Sequence, residues 1–170
     1  MKKFLGTAGA VALLELTSTA AQAATSPSAQ ATATAKIYHP LTIAKTQNLD
    51  FGVIVISGAS FAAEAVTVST AGAVTCGGGT NLVCSGSPTA ASFHLAGNDN
   101  ALVTVSSPAF NLTGPSTLAV TPSSTSQSVN LGASGSTTGV DVALGGSINV
   151  GSATPEGVYS GTWTVTADYQ

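Results

Sequence analysis

A two-residue rhythm limits what this chain can fold into more than any other feature. Glu64–Thr70 (EAVTVST), Ala91–Gly97 (ASFHLAG), Ala101–Ser107 (ALVTVSS) and Gly157–Gln170 (GVYSGTWTVTADYQ) set apolar residues at alternate positions, and Leu49–Ile56 (LDFGVIVI) reads as a strand with a glycine in it. Period two belongs to a strand with one buried face, whereas a helix repeats every 3.6 residues. Ser116–Val120, Ser126–Leu131, Gly139–Leu144 and Ser147–Val150 alternate more weakly, and Gly, Pro, Asn and Ser clusters separate the runs. The pattern predicts an all-β, immunoglobulin-like antiparallel β-sandwich of about seven to nine strands in a single domain. Ala91–Gly97 is expected to pair with Ala101–Ser107 across the turn Asn98-Asp99-Asn100.

Composition removes some functions. Charged residues are 6% of the 170, against 44% hydrophobic, and the four basic residues are all lysines. Without an arginine or a basic cluster the chain offers no footprint for a phosphate backbone, so nucleic acid is not an expected partner.

The first residues read as an address. Lys2 and Lys3 precede the apolar stretch Phe4–Leu14, and Ala21-Gln22-Ala23 forms a small-residue cleavage site. Residues 1–23 are expected to be a secretory signal peptide. Their apolar run falls short of the about 20 residues a membrane span needs. The mature chain is therefore expected outside the cytoplasm, in a bacterial periplasm or at the cell surface, with no membrane span. Cys76 and Cys84 fit that compartment. They flank the Gly-rich GGGTNLV, no histidine or third cysteine lies near enough for a metal set, and Ala73–Cys84 reads as a hairpin closed by a disulfide.

After the signal, Ala29, Ala31, Ala33, Ala35 and Ile37 share one parity with Leu41 and Ile43. One extended run of that length would reach about 50 Å, far beyond an ordinary strand. Two readings stand. In one, Ile37–Ala44 is the first strand and residues 24–36 are an arm able to pair with another chain, the sandwich occupying 37–170. In the other, the beginning is a disordered tail and the Ala/Thr run lengthens the first strand.

Catalysis finds little support. His39 and His94 are the only histidines, and the carboxylates of the mature chain are scattered singly. No nucleophile elbow or phosphate loop is present. Asn98-Asp99-Asn100 lacks the rest of a calcium loop. The chain is read as a non-enzyme without a cofactor or metal. Trp163 and Tyr159 share the apolar parity of the last strand and are expected in the core, while Tyr38 lies on the polar parity.

Both ends carry a resemblance. Gly157, Tyr159, Trp163, Val165 and the penultimate Tyr169 resemble the closing strand of chaperone-usher pilus subunits, with Gly fourteenth from the end and Tyr next to last. The stretches ATATAKIYHPLTIAKTQNLDFGVI, ASFHLAG and INVGSATPEGVYSGTWTVTADYQ, within Ala31–Gln170, resemble a bacterial secreted family known as domain of unknown function 4402. The pilin resemblance implies a sandwich lacking one strand, filled first by a periplasmic chaperone and then by the arm of a like subunit. Residues Ala29, Ala31, Ala33, Ala35 and Ile37 would be the knobs of that donor arm. This chain departs from the pattern in using alanines, which bury little apolar area. The expectation is a secreted structural or adhesive protein, a pilus or surface-fibre subunit; the alternative is a self-complete monomeric secreted or cell-surface binding module.

Overall fold

The computed structural model describes residues 26–170, so the expected signal peptide lies outside the described residues. These contain no helix and 13 strands: β1 (Thr42–Gln47), β2 (Val53–Ile56), β3 (Glu64–Val68), β4 (Val74–Cys76), β5 (Leu82–Ser85), β6 (Ala91–Ala96), β7 (Leu102–Ser106), β8 (Phe110–Thr113), β9 (Thr117–Pro122), β10 (Ser126–Asn130), β11 (Val140–Leu144), β12 (Gly146–Val150) and β13 (Thr166–Tyr169). All pairings are antiparallel, in the orders β1-β6-β11, β10-β7-β13, β4-β3-β12-β9-β8 and β2-β5. The all-β antiparallel sandwich expected from the sequence is the observed fold, within a compact unit covering Lys36–Gln170.

The strands outnumber the expectation, and their boundaries fall where the backbone must turn or cannot donate. Pro88 separates β5 from β6, and Pro108 separates β7 from β8; proline offers no N–H to a ladder. Gly145 separates β11 from β12. A side chain there would collide with the Val68 carbonyl, so glycine permits the close approach. At this point the chain leaves β6 and joins β3 and β9, carrying one long segment from sheet to sheet.

Two cores follow. In the first, β6 contributes Phe93 and Leu95, β7 contributes Val103 and Val105, β11 contributes Val142 and Leu144, and Leu131 completes the set. In the second, Val66 and Val68 from β3, Val120 from β9, and Ile148 and Val150 from β12 meet Phe51 and Leu82. All but Phe51 and Leu82 belong to an alternating run, which is why the rhythm forecast the fold.

Two local expectations are corrected. Segments 91–97 and 101–107 do not form a hairpin; β6 pairs with β1 and β11, and β7 with β10 and β13. Both strands bury alternate side chains in the same core. They therefore face one another across it rather than lying side by side. Asn100, with φ of 56°, turns the chain between the sheets, a left-handed conformation that Asn adopts more readily than most residues. Likewise Ala73–Cys84 is not a hairpin, since β4 pairs with β3 and β5 with β2. The disulfide Cys76–Cys84 instead ties the five-stranded sheet to the two-stranded one, Cα to Cα 5.8 Å. Glu64 holds the intervening loop, its carboxylate accepting from Asn81 Nδ2 at 2.6 Å and from the Gly78 N–H at 3.3 Å.

Candidate functional site

Alternation at the C-terminal end survives in the structure. Tyr159, Trp163, Val165, Ala167 and Tyr169 are half-buried, while Ser160, Thr162, Thr164, Thr166 and Asp168 are exposed. The alternating run Gly157–Gln170 is not one continuous strand. Thr166–Tyr169 pairs with β7, the ladder is lost between, and Ser160 bridges Thr113. The break lies opposite Ser107-Pro108-Ala109, where the partner run is itself interrupted. Trp163 occupies it, donating its indole N–H to the Pro108 carbonyl at 3.0 Å. Its ring stacks on Phe110 at 5.1 Å and meets Phe93 edge-on at 6.1 Å.

Tyr169 ties the two ends of the sandwich together. Its hydroxyl accepts from the Asn98 N–H and donates to the His39 carbonyl, both at 2.8 Å. Its ring stacks on Tyr38 at 4.8 Å. The His39 N–H donates to Asn98 Oδ1 at 2.8 Å. Gly97 makes room for the hydroxyl, since a Cβ there would strike it. Tyr159 fastens the start of the last segment, donating to the Pro155 carbonyl at 2.7 Å and lying 3.1 Å from Ser116 Oγ. Gly157 precedes it at φ of 148°, close against Pro115.

The expected first strand Ile37–Ala44 starts later, at Thr42, and runs on to Gln47. Ile37 is 90% exposed. The cause is the tie just described: His39 spends both backbone groups on Asn98 and Tyr169, and Pro40 has no N–H to give. Ala29, Ala31, Ala33 and Ala35 are exposed and lie outside any strand.

β1 and β13 each end a sheet, so each leaves one backbone edge unpaired. Leu41 and Ile43 at the first edge, and Trp163, Val165, Ala167 and Tyr169 at the second, pack against the first core yet stay partly open. Unpaired strand edges are surfaces at which proteins can pair with another chain.

Other chemistry-bearing residues stay apart. His94 on β6 faces Asp141 on β11, Nδ1 to Oδ1 2.8 Å, as a directly opposed cross-strand pair on the outer surface. No group of three or more His, Cys, Asp or Glu is placed to hold a metal among the described residues. No helix among them is long and apolar enough to cross a membrane. Asn98, Asp99 and Asn100, which the sequence marks only as a turn, and Gln170, which it does not mark, line a cavity with Tyr38 and Tyr169.

The chain belongs to the family described as a domain of unknown function, DUF4402, whose model matches residues 41–169. No curated protein and no solved structure matches it.

Proposed function

We propose that this member of the DUF4402 family is a structural or adhesive subunit outside the cytoplasm, in the periplasm or at the cell surface, assembling by strand addition. The observation that carries the reading is the row Leu41, Ile43, Trp163, Val165, Ala167 and Tyr169, half-covered between the free edges of β1 and β13. The exposed alternating segment Ala29, Ala31, Ala33, Ala35 and Ile37 supplies a strand-like donor. A like subunit would give its arm to this seam, and a periplasmic chaperone would cover it beforehand. Because alanine knobs bury little, backbone hydrogen bonds carry most of the attachment. The disulfide supports an oxidising compartment.

One observation favours the second reading, a self-complete binding module. The last segment is already in place, and among the described residues no buried side-chain nitrogen or oxygen lacks a partner. Sedimentation velocity separates the two. A chain starting at Ala24 is expected to form linear multimers that grow with concentration. Replacing Ala29, Ala31, Ala33 and Ala35 by Asp should return it to monomer. A monomer at every concentration, indifferent to those substitutions, rejects strand addition.

A further inference from the structure

A cavity of about 310 Å³ opens where the β6–β7 turn meets both ends of the sandwich. Tyr38, Asn98, Asp99, Asn100, Leu102 and Gln170 line it, together with Tyr169 and Ala101. We propose that this cup binds a single neutral sugar ring, stacked on Tyr38 and hydrogen-bonded by Asp99, Asn100 and Gln170.

Size and charge narrow the ligand first. The volume lies at the small end of the about 300–1,000 Å³ usual for ligand sites, enough for one ring rather than a long chain. None of the lining residues is Lys or Arg, so no permanent positive charge lines the cup to neutralise a phosphate, sulfate or carboxylate. Asp99 adds a negative charge of its own. Its carboxyl is held below the usual carboxylate range by the Ser136 N–H and then the Ser136 hydroxyl, both donating to Oδ1 at 2.8 Å, with a smaller contribution from nearby His39. An anionic ligand is therefore repelled, and an uncharged one is favoured.

The polar groups fit a polyol. Of the hydrogen bonds among the described residues, none engages Asp99 Oδ2, the Asn100 carboxamide or Gln170 Oε1. These are planar groups able to receive or bridge neighbouring hydroxyls. The groups beneath them are fixed. The Asn98 N–H is held by Tyr169, the Asn100 N–H donates to the Gly132 carbonyl at 2.7 Å, and Gln170 Nε2 is bound by Thr104 and Ser128. The site is thus formed before a ligand arrives, which lowers the ordering cost of binding.

An apolar surface completes it. Tyr38 is 44% exposed as a residue, and its ring is held by its stack on Tyr169; Leu102, which also lines the cup, is 48% exposed. A pyranose presents C–H bonds on one face and hydroxyls around its rim, matching an aromatic face with a negative quadrupole next to planar hydrogen-bonding groups. A calcium ion fits less well. Asn98 Oδ1 and Asp99 Oδ1 are already engaged, leaving one carboxylate oxygen where calcium takes six to eight oxygen ligands.

The test is an amide-shift NMR titration of the full chain with the methyl glycosides of glucose, galactose and mannose. At least one is expected to give saturable shifts confined to Tyr38, Asn98–Leu102 and the Gln170 carboxamide, with an affinity on the order of 1 mM. Tyr38→Ala should abolish it. Asn100→Gly keeps the left-handed turn that glycine tolerates and should weaken binding about fivefold to tenfold. The proposal is overturned if no glycoside gives saturable shifts, if the shifts lie elsewhere, or if Asn100→Gly binds as tightly. It is overturned equally if calcium chloride or choline alone reproduces the pattern.

Discussion

Removing a single oxygen, in Tyr169→Phe, tests how the two ends of the sandwich are joined. That hydroxyl accepts from the part-buried Asn98 N–H and donates to the His39 carbonyl, each at 2.8 Å. The ring, its stack on Tyr38 and its packing on the first core all remain possible in the variant. The loss is thus confined to two hydrogen bonds, at about 1 kcal/mol net each, plus part of the cost of leaving the Asn98 N–H without its partner. The sum is about 2–3 kcal/mol. With a urea slope of about 2 kcal/mol per molar for a domain of this size, the midpoint should fall by about 1–1.5 M with the slope unchanged. Tyr38→Ala is the matching control: it removes the stack, worth about 1 kcal/mol beyond area burial, and leaves both hydrogen bonds. If Tyr169→Phe moves the midpoint by less than about 0.2 M, the hydroxyl does not hold the ends together, and the reasoning fails.

Four further outcomes follow from the same structure. Replacing Cys76 and Cys84 together by alanine should cost about 2–3 kcal/mol, read as a lowered urea midpoint, because the bond closes a short loop between two sheets. Gly145→Ala should destabilise by about 3 kcal/mol or prevent folding, since the new methyl meets the Val68 carbonyl where the chain changes sheets; circular dichroism melting checks it. Leu95→Ala, at a fully buried position of the first core, should cost about 3–5 kcal/mol by the same assay. Asp99 should titrate below the usual carboxylate range, because Ser136 donates to its ionised form. Its folded-state value is depressed, so its contribution to stability is present above the unfolded value and is lost as pH falls through the folded one. The Ser136 amide shift, followed by NMR through the acid range, reports this directly.

Alternation made the cores legible. Phe93, Leu95, Val103, Val105, Val142, Leu144, Val66, Val68, Ile148 and Val150 all sit in runs whose period is plain in the chain. Which run lies beside which was not legible, because pairing depends on where each buried face points across a core. Segments 91–97 and 101–107 look like a hairpin at the level of spacing. Each, however, buries its own alternate residues in the first core, and they take different neighbours. The strand Phe110–Thr113 is not legible in the sequence, since FNLT is too short to show a rhythm and comes just after a proline. β1 starts later than its sequence suggests because the hold of Tyr169 on His39 spans 130 positions and leaves no local trace. The cup at Tyr38 was hidden for the same reason: its members come from three separate stretches, and only folding assembles them.

Amide hydrogen exchange along β1 and β13 tests most directly whether those free edges accept a strand. Compared with the monomeric arm variant, multimers of the chain starting at Ala24 should gain protection at Thr42–Gln47 and Thr166–Tyr169, and along their own residues 29–37. Unchanged exchange in β1 and β13, or new protection only at other strands, contradicts assembly through the seam.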